Sequence, residues 1–323
     1  MSAVSLPPLV WRCSAVVLLA GLMTACGITP RSEPSAGTPS KLPVVTTFLP
    51  ITLFTRAVAG NCATVKSLIP PTTGPHDFQA KPGDLAALRQ ARVLVKNGLE
   101  MEAFLDRLVA SAGNSELVVI DSSRGIATID SPEEHDHDKD HGHDHGHSHG
   151  EVNPHIWLDP LRAVEQVETI RDGLIKADPS CAEGYTRNAA DYTAELRALN
   201  DTFASQLKPY QGKTFITFHD FAPYFAQRYK LKADFLVDVP EMNPTPADLQ
   251  RLSAIVQRQQ IKVLLSEPQE HQPSYRALAN DLGVGISVFD PLGTGSEVSA
   301  REPDTYFVVM RRNVADLIKA FGG

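Results

Sequence analysis

The 323-residue sequence predicts an α/β fold in which two parallel-sheet lobes are joined by a long rigid helix. Three observations carry that expectation. Short β-branched runs alternate with helical stretches in the first half, the pattern of parallel strands with helices on both faces. The same alternation returns in the last third. Between them runs an apolar stripe at helical spacing, long enough to act as a rod.

In the first half, Val44–Thr47, Ala63–Leu68, Arg92–Val95 and Leu117–Ile120 read as strands. Leu49–Ala59, Pro82–Ala91 and Met101–Ala112 read as the helices between them. The stripe consists of Tyr185, Ala189, Tyr192, Leu196, Leu199, Phe203 and Leu207, and Pro209 closes it. About 25 residues of helix span some 35–40 Å. A plain crossover helix and a rod between lobes both fit the stripe; the alternation on either side favours the rod. In the last third, strands are expected near Thr214–Thr217, Ala233–Val237, Lys262–Leu265 and Ile286–Phe289. Helices are expected near Ala222–Tyr229, Pro246–Gln259, Ser274–Leu282 and Asp304–Ala320. The implied divisions are a leader at 1–25, a tether at 26–42, lobes at 43–180 and 210–323, and a linking helix at 181–209.

The leader has a short basic region ending at Arg12, an apolar stretch from Cys13 to Met23, and then Thr24-Ala25-Cys26-Gly27. Small residues before a cysteine at that place mark a bacterial lipoprotein cleavage site. Met23 stands where leucine is usual. The competing reading is a plain secretory signal with an incidental cysteine. Cleavage would leave a lipid on Cys26, anchoring the chain to a membrane without spanning it. Residues 27–42, rich in Pro, Ser, Thr and Gly, suit a flexible tether. Cys62 and Cys181 then remain as an even pair in an oxidising compartment, either a disulfide or two buried thiols. With 30 basic against 38 acidic residues, the chain lacks the overall basic charge of a nucleic-acid binder.

Histidine is the anomaly, with seven of the 11 between His135 and His149. The tract at 133–151 holds seven histidines and seven acids and no apolar residue. It is expected to stay disordered without metal and to bind several Zn²⁺, Ni²⁺ or Cu²⁺ ions loosely. A solvated acidic loop with no required role is its bland alternative. Four histidines lie outside it: His76, His155, His219 and His271. His76 sits in Gly74-Pro75-His76-Asp77-Phe78, after the second strand, and His155 in Asn153-Pro154-His155-Ile156-Trp157, before a helix. His219 ends a strand, and Asp290 follows one; ligands gather at such carboxyl ends in open α/β sheets. Facing lobes could unite the three imidazoles and Asp290 into a four-coordinate set suited to Zn²⁺. Each histidine alone is as readily a hydrogen-bonded structural residue. The separations of 79, 64 and 71 residues are no local motif. His271, in a surface-like loop, is left out.

These segments resemble the periplasmic metal-binding proteins of ABC importers, in the zinc- and manganese-binding cluster, and most closely its zinc-specific ZnuA-like members. The likeness covers nearly all of residues 42–323. Its blocks include residues 74–78, Lys81 to Leu85, Lys96 to Leu99, Asn153 to Pro160, Phe218 to Tyr229, Pro244 to Leu249, Ser266 to Gln269 and Asp290 to Gly293. The resemblance implies two lobes joined by a rigid helix with the metal between them, and His76, His155 and His219 as ligands. Manganese-type relatives tend to carry a carboxylate where His219 stands, so zinc is favoured. Zinc members often have a histidine- and acid-rich loop where 133–151 lies. Some place a Glu just before the first ligand; here it is Pro75. The fourth position then goes to Asp290 or to water. Glu267 is a further candidate, expected behind the ligands, and Asp77 and Asp220 could orient imidazoles or cap helices.

The implied function is extracytoplasmic capture of Zn²⁺ by a lipid-anchored monomer and its delivery to an ABC permease in the cytoplasmic membrane. The alternatives are a manganese or iron carrier of the same fold and a surface adhesin. A hydrolase is disfavoured, since neither His-Glu-x-x-His nor Gly-x-Ser-x-Gly occurs.

Overall fold

The computed structural model describes residues 41–131, 151–240, 242–268 and 273–323. The expected leader, Cys26 with its expected lipid, nearly all of the tether and of the histidine-rich tract, and His271 lie outside the described residues.

The first lobe runs β1 (Leu42–Thr46), α1 (Leu49–Ala59), β2 (Ala63–Ser67), α2 (Pro82–Gln90), β3 (Val93–Lys96), α3 (Leu105–Ala112) and β4 (Val118–Asp121). Its four strands are parallel, in the order β2-β1-β3-β4. Inner strands of such a sheet are covered on both faces and therefore read as unbroken apolar runs. Val93, Leu94 and Val95 are all fully buried. Two helices follow, α4 (Pro160–Ala177) and α5 (Ala182–Leu207). Asp159 caps α4, its carboxylate accepting the Leu161 N–H, and Pro160 supplies the preset φ of a first turn.

The second lobe runs β5 (Thr214–His219), α6 (Pro223–Tyr229), β6 (Lys232–Val237), α7 (Pro246–Gln259), β7 (Val263–Ser266), α8 (Pro273–Asp281), β8 (Gly285–Val288) and α9 (Thr305–Ala320). Its sheet is again parallel and repeats the topology, β6-β5-β7-β8. In each sheet the strand order reverses beside the first strand. A crevice opens there, between β1 and β3 in one lobe and between β5 and β7 in the other.

The expected rod is α5, 26 residues and thus about 39 Å long. All seven stripe residues are buried. The helix packs on α4 and α1 on one side and reaches α6 and α9 on the other. One apolar cluster runs through both lobes. It joins Val44 and Val93 of the first sheet to Leu196 and Phe203 of α5, Phe215 and Phe289 of the second lobe, and Leu317 of α9. The lobes therefore meet through packed core, which resists compression and shear. Among the described residues no helix is long and apolar enough to cross a membrane.

One expected helix is shorter than predicted. The stretch read as helical from Met101 begins only at Leu105. Gly98, Leu99 and Glu100 all have positive φ, and the Glu102 carboxylate turns back to accept the Asn97 and Gly98 N–H groups. A continuous helix would give up those bonds.

Cys62 and Cys181 form a disulfide across 119 residues of sequence, with Cα atoms 6.1 Å apart. It ties the chain before β2 to the start of α5. Replacing both cysteines by serine should lower the unfolding free energy by about 2–5 kcal/mol, because the denatured chain regains the freedom of a long loop. Urea titration of parent and variant checks this; equal midpoints would contradict it.

Candidate metal centre

Both crevices hold a buried carboxylate at the carboxyl ends of their strands. In the first lobe Glu102 takes a 2.6 Å hydrogen bond from the Thr47 hydroxyl, just past β1. In the second, Glu267 directly follows β7 and accepts from Nδ1 of His219, the last residue of β5. His219 thus sits at the mouth of the second crevice because its strand ends there. His155 comes from the segment between the isolated Asp130–Val152 bridge and α4, at the start of a short 3-10 turn over Ile156–Leu158. His76 comes from the loop between β2 and α2.

The structure brings these three histidines together. One ring nitrogen from each lies within 4.8 Å of the other two. Nε2 of His155 is 3.3 Å from Nε2 of His219. Both residues are 2% exposed. The surrounding cavity measures about 30 Å³ and is lined by the three histidines with Trp157, Glu267 and Pro291 among others. A space of that size admits an ion or a water but excludes an organic solute, whose pockets are roughly 300 Å³ or more.

Hydrogen bonds behind two of the rings settle which nitrogen faces inward. Nδ1 of His155 lies 3.0 Å from Oδ1 of Asn153, an acceptor, so Nδ1 carries the proton. The amide of Asn153 is itself oriented, since its Nδ2 donates to the carbonyl (2.7 Å) and the carboxylate (3.0 Å) of Asp220. Glu267 does the same for His219. Both rings therefore turn Nε2 to one point, the arrangement of imidazole ligands backed by outer acceptors. Trp157 packs on His155, with ring centroids 5.0 Å apart, and Phe221 packs edge-on against His219 at 5.1 Å.

Asp290 lies outside this set of three. Its Oδ1 accepts the Leu292 N–H at 2.8 Å, and Asn313 of α9 grips its peptide on both sides. Burial, with Glu267 nearby, pushes its carboxyl up to about 6. Burial also raises Asp220 to about 6, against the pull of the Asn153 hydrogen bond. Asp77 lines the cavity. Asp220 reaches His155 through Asn153. That role of Asn153 was not assigned from sequence, although an amide two residues before a candidate ligand was a usable signal. Trp157, which donates from Nε1 to the Pro291 carbonyl at 2.8 Å, also went unassigned.

A family model described as zinc-uptake complex component A, periplasmic, matches residues 44–320. The high-affinity zinc uptake system protein ZnuA of Bacillus subtilis is 31% identical over 294 residues, covering 91% of this chain and 92% of that protein. The zinc-binding lipoprotein AdcA of Streptococcus pneumoniae serotype 4 is 32% identical over 282 residues, 86% of this chain. The chain spans about half the length of AdcA, 55%. Among solved structures, the Zn(II)-bound ZnuA-like domain of Streptococcus pneumoniae AdcA matches with a TM-score of 0.72 at 29% identity, over 87% of this chain and 99% of that one.

Glu102 lies behind the centre: Asn97, whose N–H it accepts, donates from Nδ2 to the Pro154 carbonyl beside His155. Burial lifts its carboxyl from 4.5 to about 6, against its hydrogen bonds from Thr47, Asn97 and Gly98. A raised folded-state pKa means that its stabilising contribution is complete below the unfolded value and is lost as pH rises through about 6. That loss amounts to about 2 kcal/mol. In the metal-free protein, the stability deficit of Glu102→Gln should therefore shrink by about 2 kcal/mol between pH 4.5 and pH 7. Urea titrations across that range test it; a constant deficit would show that Glu102 titrates at its ordinary value.

Proposed function

This chain belongs to the periplasmic zinc-uptake complex component A family, and from that premise we propose that it captures one Zn²⁺ between its lobes and delivers it to an ABC permease. The observation that carries the reading is the convergence of His76, His155 and His219, from three distant segments, on one small cavity. A tetrahedral ion with Zn–N arms of about 2.0–2.1 Å has edges of about 3.3–3.4 Å. The 3.3 Å between Nε2 of His155 and Nε2 of His219 matches such an edge.

The donor set favours zinc over manganese. Neutral imidazole suits Zn²⁺, whereas Mn²⁺ prefers more oxygen. Asp290 is the proposed fourth ligand, with water as its replacement, and Glu267 and Asp220 act from behind the imidazoles. Capture needs deprotonated histidines, so binding weakens as pH falls through the histidine range. Packed core between the lobes favours release by small local shifts over wide hinge closure. Lipidation at Cys26 would hold the protein at a membrane beside the permease, and the tract at 133–151 would gather ions loosely near the cavity. Family members are components of a transport system, and no reaction is assigned to this one.

Metal analysis and competition titration test the reading. The purified chain should bind one Zn²⁺ tightly and in preference to Mn²⁺, with further ions held loosely. Deleting residues 133–149 should reduce the loose ions and keep the tight one. His219→Ala should abolish tight binding and leave the loose ions. Asp290→Asn should weaken binding by about a hundredfold if its carboxylate is a ligand; a change of only a few fold would give the fourth position to water. Loss of the tight ion on deleting the tract, or its retention in His219→Ala, would overturn the assignment of the cavity.

A further inference from the structure

A second feature lies just behind the histidines and has no part in ligation. We propose that Asp159 is a positioning residue for the interlobe centre: gripped by Arg228 and Arg162, it fixes the segment bearing His155 against the segment bearing His219. The proposal rests on the reading that these histidines hold a metal ion.

Asp159 is fully buried. Its Oδ1 accepts from the Leu161 N–H at 3.0 Å and from Nε of Arg228 at 2.7 Å. Its Oδ2 accepts from Nη2 of Arg228 at 2.7 Å and from Nη1 of Arg162 at 2.6 Å. The Arg228 contact is the two-pronged form, which fixes direction as well as distance. Capping α4 requires only the Leu161 bond, and an uncharged Ser, Thr or Asn would supply it. A buried carboxylate costs several kcal/mol in lost hydration unless it is paired, so capping alone does not account for a charge at this position.

The chain positions explain what the charge does. Asp159 stands four residues after His155, at the start of α4, which packs in the first lobe. Arg228 stands nine residues after His219, on α6 of the second lobe. The ion pair therefore crosses the lobe boundary and joins the two ligand-bearing segments. It is the far end of a seam. Arg162 also donates from Nη2 to Oε1 of Gln227 at 3.0 Å and lies over the ring of Tyr224 at 4.6 Å. The Tyr224 hydroxyl donates to the Asn153 carbonyl at 2.6 Å, and Asn153 donates to Asp220. Residues 153 to 162 are thus stitched to residues 220 to 228 on both sides of His155. A metal centre shared between lobes needs its donor atoms held to about 0.5 Å. The seam supplies that constraint where His155 and His219 meet.

Three variants test the proposal: Asp159→Asn, Arg228→Lys and, as a reference for destabilisation alone, Leu174→Ala in the buried core of α4. Zinc affinity is read by competition with a chromophoric chelator. Site geometry is read from the visible absorption of the Co²⁺-loaded protein. Ring tautomers of His155 and His219 are read by nitrogen-detected NMR of the metal-free protein. Asp159→Asn should weaken zinc binding by about tenfold or more and alter the Co²⁺ band. It should also turn the fixed Nδ1–H signals of both rings into averaged ones. Arg228→Lys, which keeps the charge but loses the fork, should do the same to a smaller degree and decides the matter if Asp159→Asn does not fold. Leu174→Ala should lower the melting temperature and leave the other readouts alone. If Asp159→Asn and Arg228→Lys melt earlier but keep the parent's affinity, band and ring signals, the cluster serves stability only and the proposal is wrong. If the parent chain binds no zinc, the metal assignment falls, while the ring signals still decide whether Asp159 positions the histidines.

Discussion

Side chains on two separately folded sheets must meet with sub-ångström accuracy, and the rest of the structure follows from that requirement. Donors that come from both lobes must be in register before an ion can bridge them. The boundary between the lobes must already be rigid. The protein meets this need with apolar core that runs from Val44 of one sheet to Phe289 of the other lobe. To this it adds a polar seam between residues 153–162 and 220–228. The core resists compression; the seam, being directional, fixes register.

The two lobes use one plan for different ends. Each sheet reverses its strand order beside its first strand, and each reversal shelters a carboxylate that accepts from the neighbouring strand end. In the first lobe the donors are Thr47 and two backbone N–H groups, and the result is a closed structural knot around Glu102. In the second the donor is His219, whose other ring nitrogen lies in the cavity 3.3 Å from Nε2 of His155. Identity at one strand end, threonine or histidine, separates a structural crevice from the proposed binding one.

Three buried carboxyls near the centre, Glu102, Asp220 and Asp290, are all pushed up to about 6 by burial. A bound dication would reverse that tendency for the groups nearest to it, since a positive neighbour favours ionisation. Loading and proton loss are thereby linked around the cavity as well as at the imidazoles themselves. None of these carboxyls belongs to the three-nitrogen set.

The sequence by itself determined most of the architecture. Alternating β-branched and helical segments specified two parallel sheets, and the Tyr185-to-Leu207 stripe specified the rod, because periodicity records which face each element must bury. It also singled out His76, His155 and His219, since few histidines stand outside the tract and they occupy loops and strand ends. Local pattern could not show that Met101 to Phe104 would leave the helix, because the Glu102 carboxylate is drawn to backbone groups at Asn97 and Gly98. Nor could it choose between a disulfide and two thiols at Cys62 and Cys181, or place Asp290 relative to the three imidazoles. Tertiary structure alone decided that Asn153 orients His155 and that Asp159 reaches Arg228. The bonds that fix them, from Asn153 to Asp220 and from Arg228 to Asp159, join residues 67 and 69 positions apart. Spacing along the chain encodes burial, which is set residue by residue, whereas a meeting of distant polar groups depends on where the whole packed chain returns.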